Sequence, residues 1–192
     1  MKVSTICFNV LIIFGYFSCI VCDMNYDYYW RDYTGEIPSD AVEGGYDINR
    51  KTTYIGQVYV KHYGIIPVTI YPGKTSVTAN IWGLHHLDSY IKILCSPYKD
   101  NFKWVPANAR TLHVQMINKH LVRGGVEYGL LTNIGRISYQ GELLVAKVCS
   151  FSVGNAKLFY PAGNREKSTD SYEVLIYDVK NNSDTGFHVI AQ

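Results

Sequence analysis

Six histidines, five cysteines and an unusual number of tyrosines are the side chains of this 192-residue sequence whose types could do chemistry. Histidines first suggest a metal, since the neutral imidazole is a common ligand. Their spacing argues otherwise. His85 and His86 are adjacent and point to opposite faces of a strand. His62, His113, His120 and His188 stand at no ligand spacing from a cysteine or an acid. No metal and no other cofactor is expected. Gly-x-Ser-x-Gly, His-Glu-x-x-His and phosphate-loop patterns are absent, and Gly124-Gly125 does not sit in a strand-glycine-helix unit. The chain is therefore expected not to be an enzyme. The aromatic cluster Tyr26, Tyr28, Tyr29, Trp30 and Tyr33 has two readings: rings that stack on the apolar C–H face of a sugar, or rings that pack a sheet edge with wet polar tips. Packing is expected for Trp30 and Trp104.

The elements that would position such residues follow from the rest of the sequence. Lys2, then the apolar run from Ile6 to Phe17, then small residues before Asp23, predict a cleavable signal peptide over residues 1–22 and a secreted protein. Asn9 and Gly15 interrupt that run, which argues against a membrane anchor. Cleavage leaves 17 basic and 16 acidic residues, a balance that offers nothing to nucleic acid or an anionic membrane. It also leaves two cysteines, Cys95 and Cys149. A lone pair in an oxidising compartment predicts a disulfide; the alternative is two separate buried thiols. Asn181-Asn182-Ser183 is an N-glycosylation sequon, with Asn181 as acceptor, in a polar tail over residues 179–192.

Tyrosine and β-branched residues suit pleated, half-buried surfaces, and short alternating runs recur between Gly, Pro and Asn clusters. The runs at Tyr54–Val60, Thr111–Ile117, Ile134–Tyr139 and Tyr172–Ile176 are examples. They predict an all-β fold, an antiparallel sandwich in a single body over residues 23–178. The landmarks come twice, about 80 residues apart: Trp30 and Trp104, Gly44-Gly45 and Gly124-Gly125, Ile55-Gly56 and Ile134-Gly135, Gly64 and Gly141, and a closing Tyr-led strand at Tyr90 and Tyr172. Two β-modules, over residues 29–95 and 102–178, are expected to bury their apolar faces together.

In this order, these landmarks resemble the DM-nine repeat family, secreted or cytosolic invertebrate proteins whose repeat is shared with the lectin part of natterin-type toxins. The resemblance rests on Gly35-Glu36-Ile37-Pro38, Ala41-Val42-Glu43-Gly44-Gly45-Tyr46-Asp47, the Ile-Gly strands, and Tyr172-Glu173-Val174-Leu175. It implies a two-repeat β-sandwich that recognises mannose-type glycans in innate defence, through an aspartate after the Gly-Gly turn and the lysine of a Pro-Gly-Lys strand. An acceptor-only carboxylate and a donor-only ammonium can hold vicinal sugar hydroxyls. In the first repeat the acid falls on Asp47, and Thr69 takes the lysine's register, with Pro72-Gly73-Lys74 five residues further on. In the second the pair falls on Glu127 and Lys147. The sugar-binding candidates are therefore Asp47, Lys74, Glu127 and Lys147. Read without the family, Asp47 is a turn former and Lys147 a solvated strand lysine.

Three functions fit this sequence. The first is a secreted carbohydrate-binding protein, avid for multivalent glycans as a homodimer. The second is a salivary or venom effector that binds a host protein, its sugar site degenerate. The third is a lipocalin-like carrier, a single barrel with a large apolar cavity.

Overall fold

The computed structural model describes residues 27–178. The expected signal peptide, Tyr26, the sequon at Asn181 and the tail lie outside the described residues. The fold is an all-β antiparallel sandwich. One turn of helix, α1 (Leu112–Gln115), and a 3-10 turn at Lys99–Asn101 are the helical parts of the described chain.

The first half contains β1 (Tyr29–Asp32), β2 (Glu43–Tyr46), β3 (Thr52–Val60), β4 (Gly64–Ile70), the hairpin β5 (Val77–Asn80) and β6 (Leu84–Leu87), and β7 (Ile91–Cys95). The second contains β8 (Phe102–Asn108), β9 (His120–Leu121), β10 (Arg123–Glu127), β11 (Leu130–Tyr139), β12 (Glu142–Val148), β13 (Leu158–Ala162), β14 (Arg165–Thr169) and β15 (Ser171–Tyr177). Strand pairings in the halves correspond. Trp30 faces Leu94 as Trp104 faces Leu175, and Gly56 faces Ile93 as Gly135 faces Val174. Ile55 faces Thr69 as Ile134 faces Lys147.

The double glycines are strand residues at bulges, where each half crosses to the other. Tyr46 of β2 pairs with Leu143 of β12, and Val126 of β10 pairs with Ile65 of β4. A Cβ on Gly45 would lie 2.1 Å from the Leu143 carbonyl oxygen, and one on Gly125 2.0 Å from that of Ile65. Only glycine lets the backbones approach so closely. These crossings close the pairings β12-β2-β3-β4-β10-β11-β12 into a ring of six strands.

Three apolar clusters fill the body. Val58, Ile66, Ile70 and Ile93 pack under the β5–β6 hairpin, which is a separate two-stranded sheet. Val148, Leu158, Tyr160 and Val174 pack with Leu112 of α1 in the second half. Between them Ile55, Leu94, Ile134, Val145 and Leu175 form a central cluster against which Trp30 and Trp104 rest, as expected of packing residues.

The expected disulfide is not formed: Cys95 and Cys149 are both free and buried. Cys95 ends β7, which pairs with β1 and β3, whereas Cys149 follows β12, which pairs with β2, β11 and β13. No ladder joins their strands, so nothing draws the two thiols together. No helix among the described residues is long and apolar enough to cross a membrane.

Candidate functional site

The most unusual side chain among the described residues is Lys147. It lies in β12, a strand buried over its last five residues, and is 2% exposed. A lone buried ammonium is too costly to keep. Two carboxylates balance it: Glu127 Oε2 at 2.9 Å and Glu166 Oε1 at 3.1 Å, themselves 12% and 18% exposed. The strand lysine is thus an inward-facing counter-ion rather than a solvated one.

Each acid is placed by a different element. Glu127 ends β10, carried to the site by the Gly124-Gly125 crossing. Glu166 stands in β14 and is held by the first half: its Oε1 accepts from Asn80 Nδ2 at 3.0 Å and its Oε2 from the Trp82 backbone N–H at 3.2 Å. Both donors belong to the β5–β6 hairpin, whose turn holds Trp82 at a φ of 50°. The Cys149 thiol lies 3.8 Å from Glu127 Oε2. Burial, and then the Glu127 charge, push that thiol up to about 12; a thiol so protonated is no nucleophile.

Above this ionic floor opens a pocket of about 290 Å³ walled by Trp82, Phe151 and Phe159, with Ser152, Asn155 and Lys157 among its polar residues. Trp82 is 79% exposed, and the Phe159 ring centroid lies 5.5 Å from Lys147 Nζ. Lys157 pairs at the rim with Asp170 at 3.4 Å. Aromatic faces beside carboxylate acceptors suit a ligand with one apolar face and several donors.

The first half carries no such arrangement. Thr69 stands at the register of Lys147, and its hydroxyl donates to the Val145 carbonyl at 3.1 Å and accepts from the Val145 N–H at 2.9 Å. Asp47 caps its own turn, its Oδ1 accepting from the Asn49 and Lys51 amides at 2.8 and 2.9 Å. Lys74 is exposed in the Tyr71–Lys74 turn, where its carbonyl accepts from the Tyr33 hydroxyl at 2.8 Å. Asp47 and Lys74 form no ion pair among the described residues. A pocket of about 380 Å³ beside Thr69 contains Tyr71, whose hydroxyl donates to Glu142 Oε2 at 2.8 Å. Burial, the bond to Glu142 and its charge, and the charge of Asp47 all hold Tyr71 in its neutral form.

Of the N-terminal cluster, Tyr28 and Tyr29 are anchored within the protein. Tyr28 packs edge-on against Tyr177 with centroids 5.1 Å apart, and the Tyr29 hydroxyl donates to Asp40 Oδ2 at 2.5 Å. No group of three or more His, Cys, Asp or Glu is placed to hold a metal ion among the described residues.

The structure therefore joins Glu127 with Lys147 and leaves Asp47 and Lys74 in separate turns. Sequence reasoning missed Glu166, Trp82, Phe151 and Phe159. Trp82 had a signal, a large aromatic beside Gly83 in a hairpin turn; Glu166 had none. No protein-family model matches this chain, and no curated protein matches it.

Proposed function

We propose that this protein is a secreted, non-enzymatic carbohydrate-binding protein of the DM-nine type, with its sugar site in the second-half pocket between Trp82 and Phe159. One observation carries the reading. An aromatic-walled pocket ends on the carboxylates of Glu127 and Glu166, rigidly set by a buried ammonium and by the opposite half. The matching strand registers of the two halves support the two-repeat part of the resemblance. The site departs from the acid–lysine clamp in one respect: Lys147 positions the acids, and the acids meet the ligand. A carrier of the lipocalin kind is disfavoured, since the roomiest pocket described, about 660 Å³, is bordered by Arg50, Lys99, Asp100 and Arg136.

A glycan array with the wild-type protein and two variants tests the proposal. Trp82→Ala, at an exposed position, is expected to weaken binding by about tenfold or more, the scale of a lost stacking contact. Asp47→Ala is expected to leave binding unchanged. Binding lost in Asp47→Ala and kept in Trp82→Ala would move the site to the first half. No binding to any glycan would leave the protein-binding effector, a reading favoured by the exposed Tyr59 and Tyr90, which pack edge-to-face at 6.3 Å.

A further inference from the structure

The charges in the second-half pocket do not balance, and this bears on which sugar it takes. Two carboxylates, Glu127 and Glu166, face a single ammonium, Lys147. The other lysine of the pocket, Lys157, already has its own partner in Asp170. One negative charge is left over at the floor of the pocket. Glu166 is engaged at both oxygens: each accepts from the β5–β6 hairpin, and one of them also meets Lys147. Glu127 is not. Its Oε2 takes Lys147 and the Cys149 thiol, while its Oε1 has no hydrogen-bond partner among the described residues. Lys147, 2% exposed, lines the pocket with its ammonium already facing both acids.

A ligand entering here meets the open side of Glu127, the polar side chains of Ser152, Asn155 and Lys157, and three aromatic rings, Trp82, Phe151 and Phe159. Aromatic faces and a carboxylate together recognise a cation better than a neutral group. Resting on the carbohydrate reading above, we propose that the pocket takes a sugar bearing a protonated amine, a glucosamine-type unit, in preference to a neutral hexose. The amine donates to Glu127 Oε1 and completes a square of two anions and two cations. The C–H face of the ring lies on Trp82. An N-acetylated sugar loses the charge and with it the advantage.

The test is titration calorimetry of the protein with glucosamine oligosaccharides, their N-acetylated counterparts and mannose oligosaccharides, at pH 6 and at low and moderate salt. A charge-assisted bond sets the expected preference for the amine-bearing series at about tenfold or more. It should shrink as pH rises through the amine's own pKa and as salt increases. Glu127→Gln keeps Glu166 as counter-ion to Lys147 and should abolish the preference, its thermal melt showing that the variant is folded under the conditions of the titration. Trp82→Ala should weaken all three series alike. Equal affinity for amine-bearing and neutral sugars overturns this inference and leaves the carbohydrate reading standing. A preference that survives in Glu127→Gln also overturns it, because the acid would then not be the determinant. Failure of all three series to bind overturns both readings together.

Discussion

Thr69 and Lys147 stand at the same place in their halves, opposite Ile55 and Ile134, yet the chain around them is organised in two different ways. Thr69 is satisfied by a single residue, through the backbone of Val145 in the neighbouring half. A hydroxyl both donates and accepts, so the N–H and C=O of one residue answer it fully. The residue that corresponds to Val145 in the other half, judged by its pairing with Gln57 as Val145 pairs with Arg136, is Pro67, which has no N–H to offer. At Lys147 the answer comes from two carboxylates drawn from separate strands, one of them anchored by the other half's hairpin. A neutral hydrogen bond closes a seam between strands. A buried charge instead recruits partners from more than one strand, and leaves one of them facing an open pocket.

The sharpest way to break this comparison is to remove the charge. Lys147→Met keeps the volume and strands Glu127 and Glu166 without a cation. Loss of one partner from a buried ion cluster costs about 3–5 kcal/mol, which urea unfolding of the purified variant would show. A variant as stable as wild type would mean that the two acids do not depend on the lysine. At the matching position the effect should be smaller. Thr69→Val leaves the Val145 N–H buried without its acceptor, a loss of about 1–3 kcal/mol. A larger loss at Thr69 than at Lys147 would reverse the order argued here.

The smallest expected effect concerns the two thiols, one in each half. Burial raises both from the ordinary thiol value of 9.0, Cys149 to about 12 and Cys95 to about 11. The folded protein thus holds these protons more tightly than the unfolded chain. The stability from this source is fully present below pH 9.0 and is lost as pH rises toward about 11 for Cys95 and about 12 for Cys149. The urea midpoint should therefore drop between pH 8.5 and pH 10.5, and drop less in Cys149→Ala. Non-reducing peptide mapping should recover Cys95 and Cys149 as separate thiols, alkylated only in denaturant. A Cys95–Cys149 bridged peptide would contradict the free, buried pair.

What the sequence determined by itself is local. Alternating β-branched and tyrosine residues specify strands such as β3, where the side chains of Ile55 and Val58 find a core. Asp47 in Tyr-Asp-Ile-Asn is a turn cap because a short carboxylate reaches the amides two and four residues on, whatever the rest of the chain does. The double glycines were legible as special backbone, though not as crossings; the clash that forbids a Cβ involves a carbonyl far along the chain. The pairing of Glu127 with Lys147 was reached only through the register of a resembling repeat. The tertiary structure alone decided the rest. Lys147 is buried because both faces of β12 are covered, its last five residues being buried in succession. Glu166 is aimed at it by Asn80 and Trp82, 86 and 84 residues away. Side-chain periodicity records which face of a strand is buried, but not which distant strand will cover it. That choice is made when the two halves cross and pack, and the pocket exists only once they have.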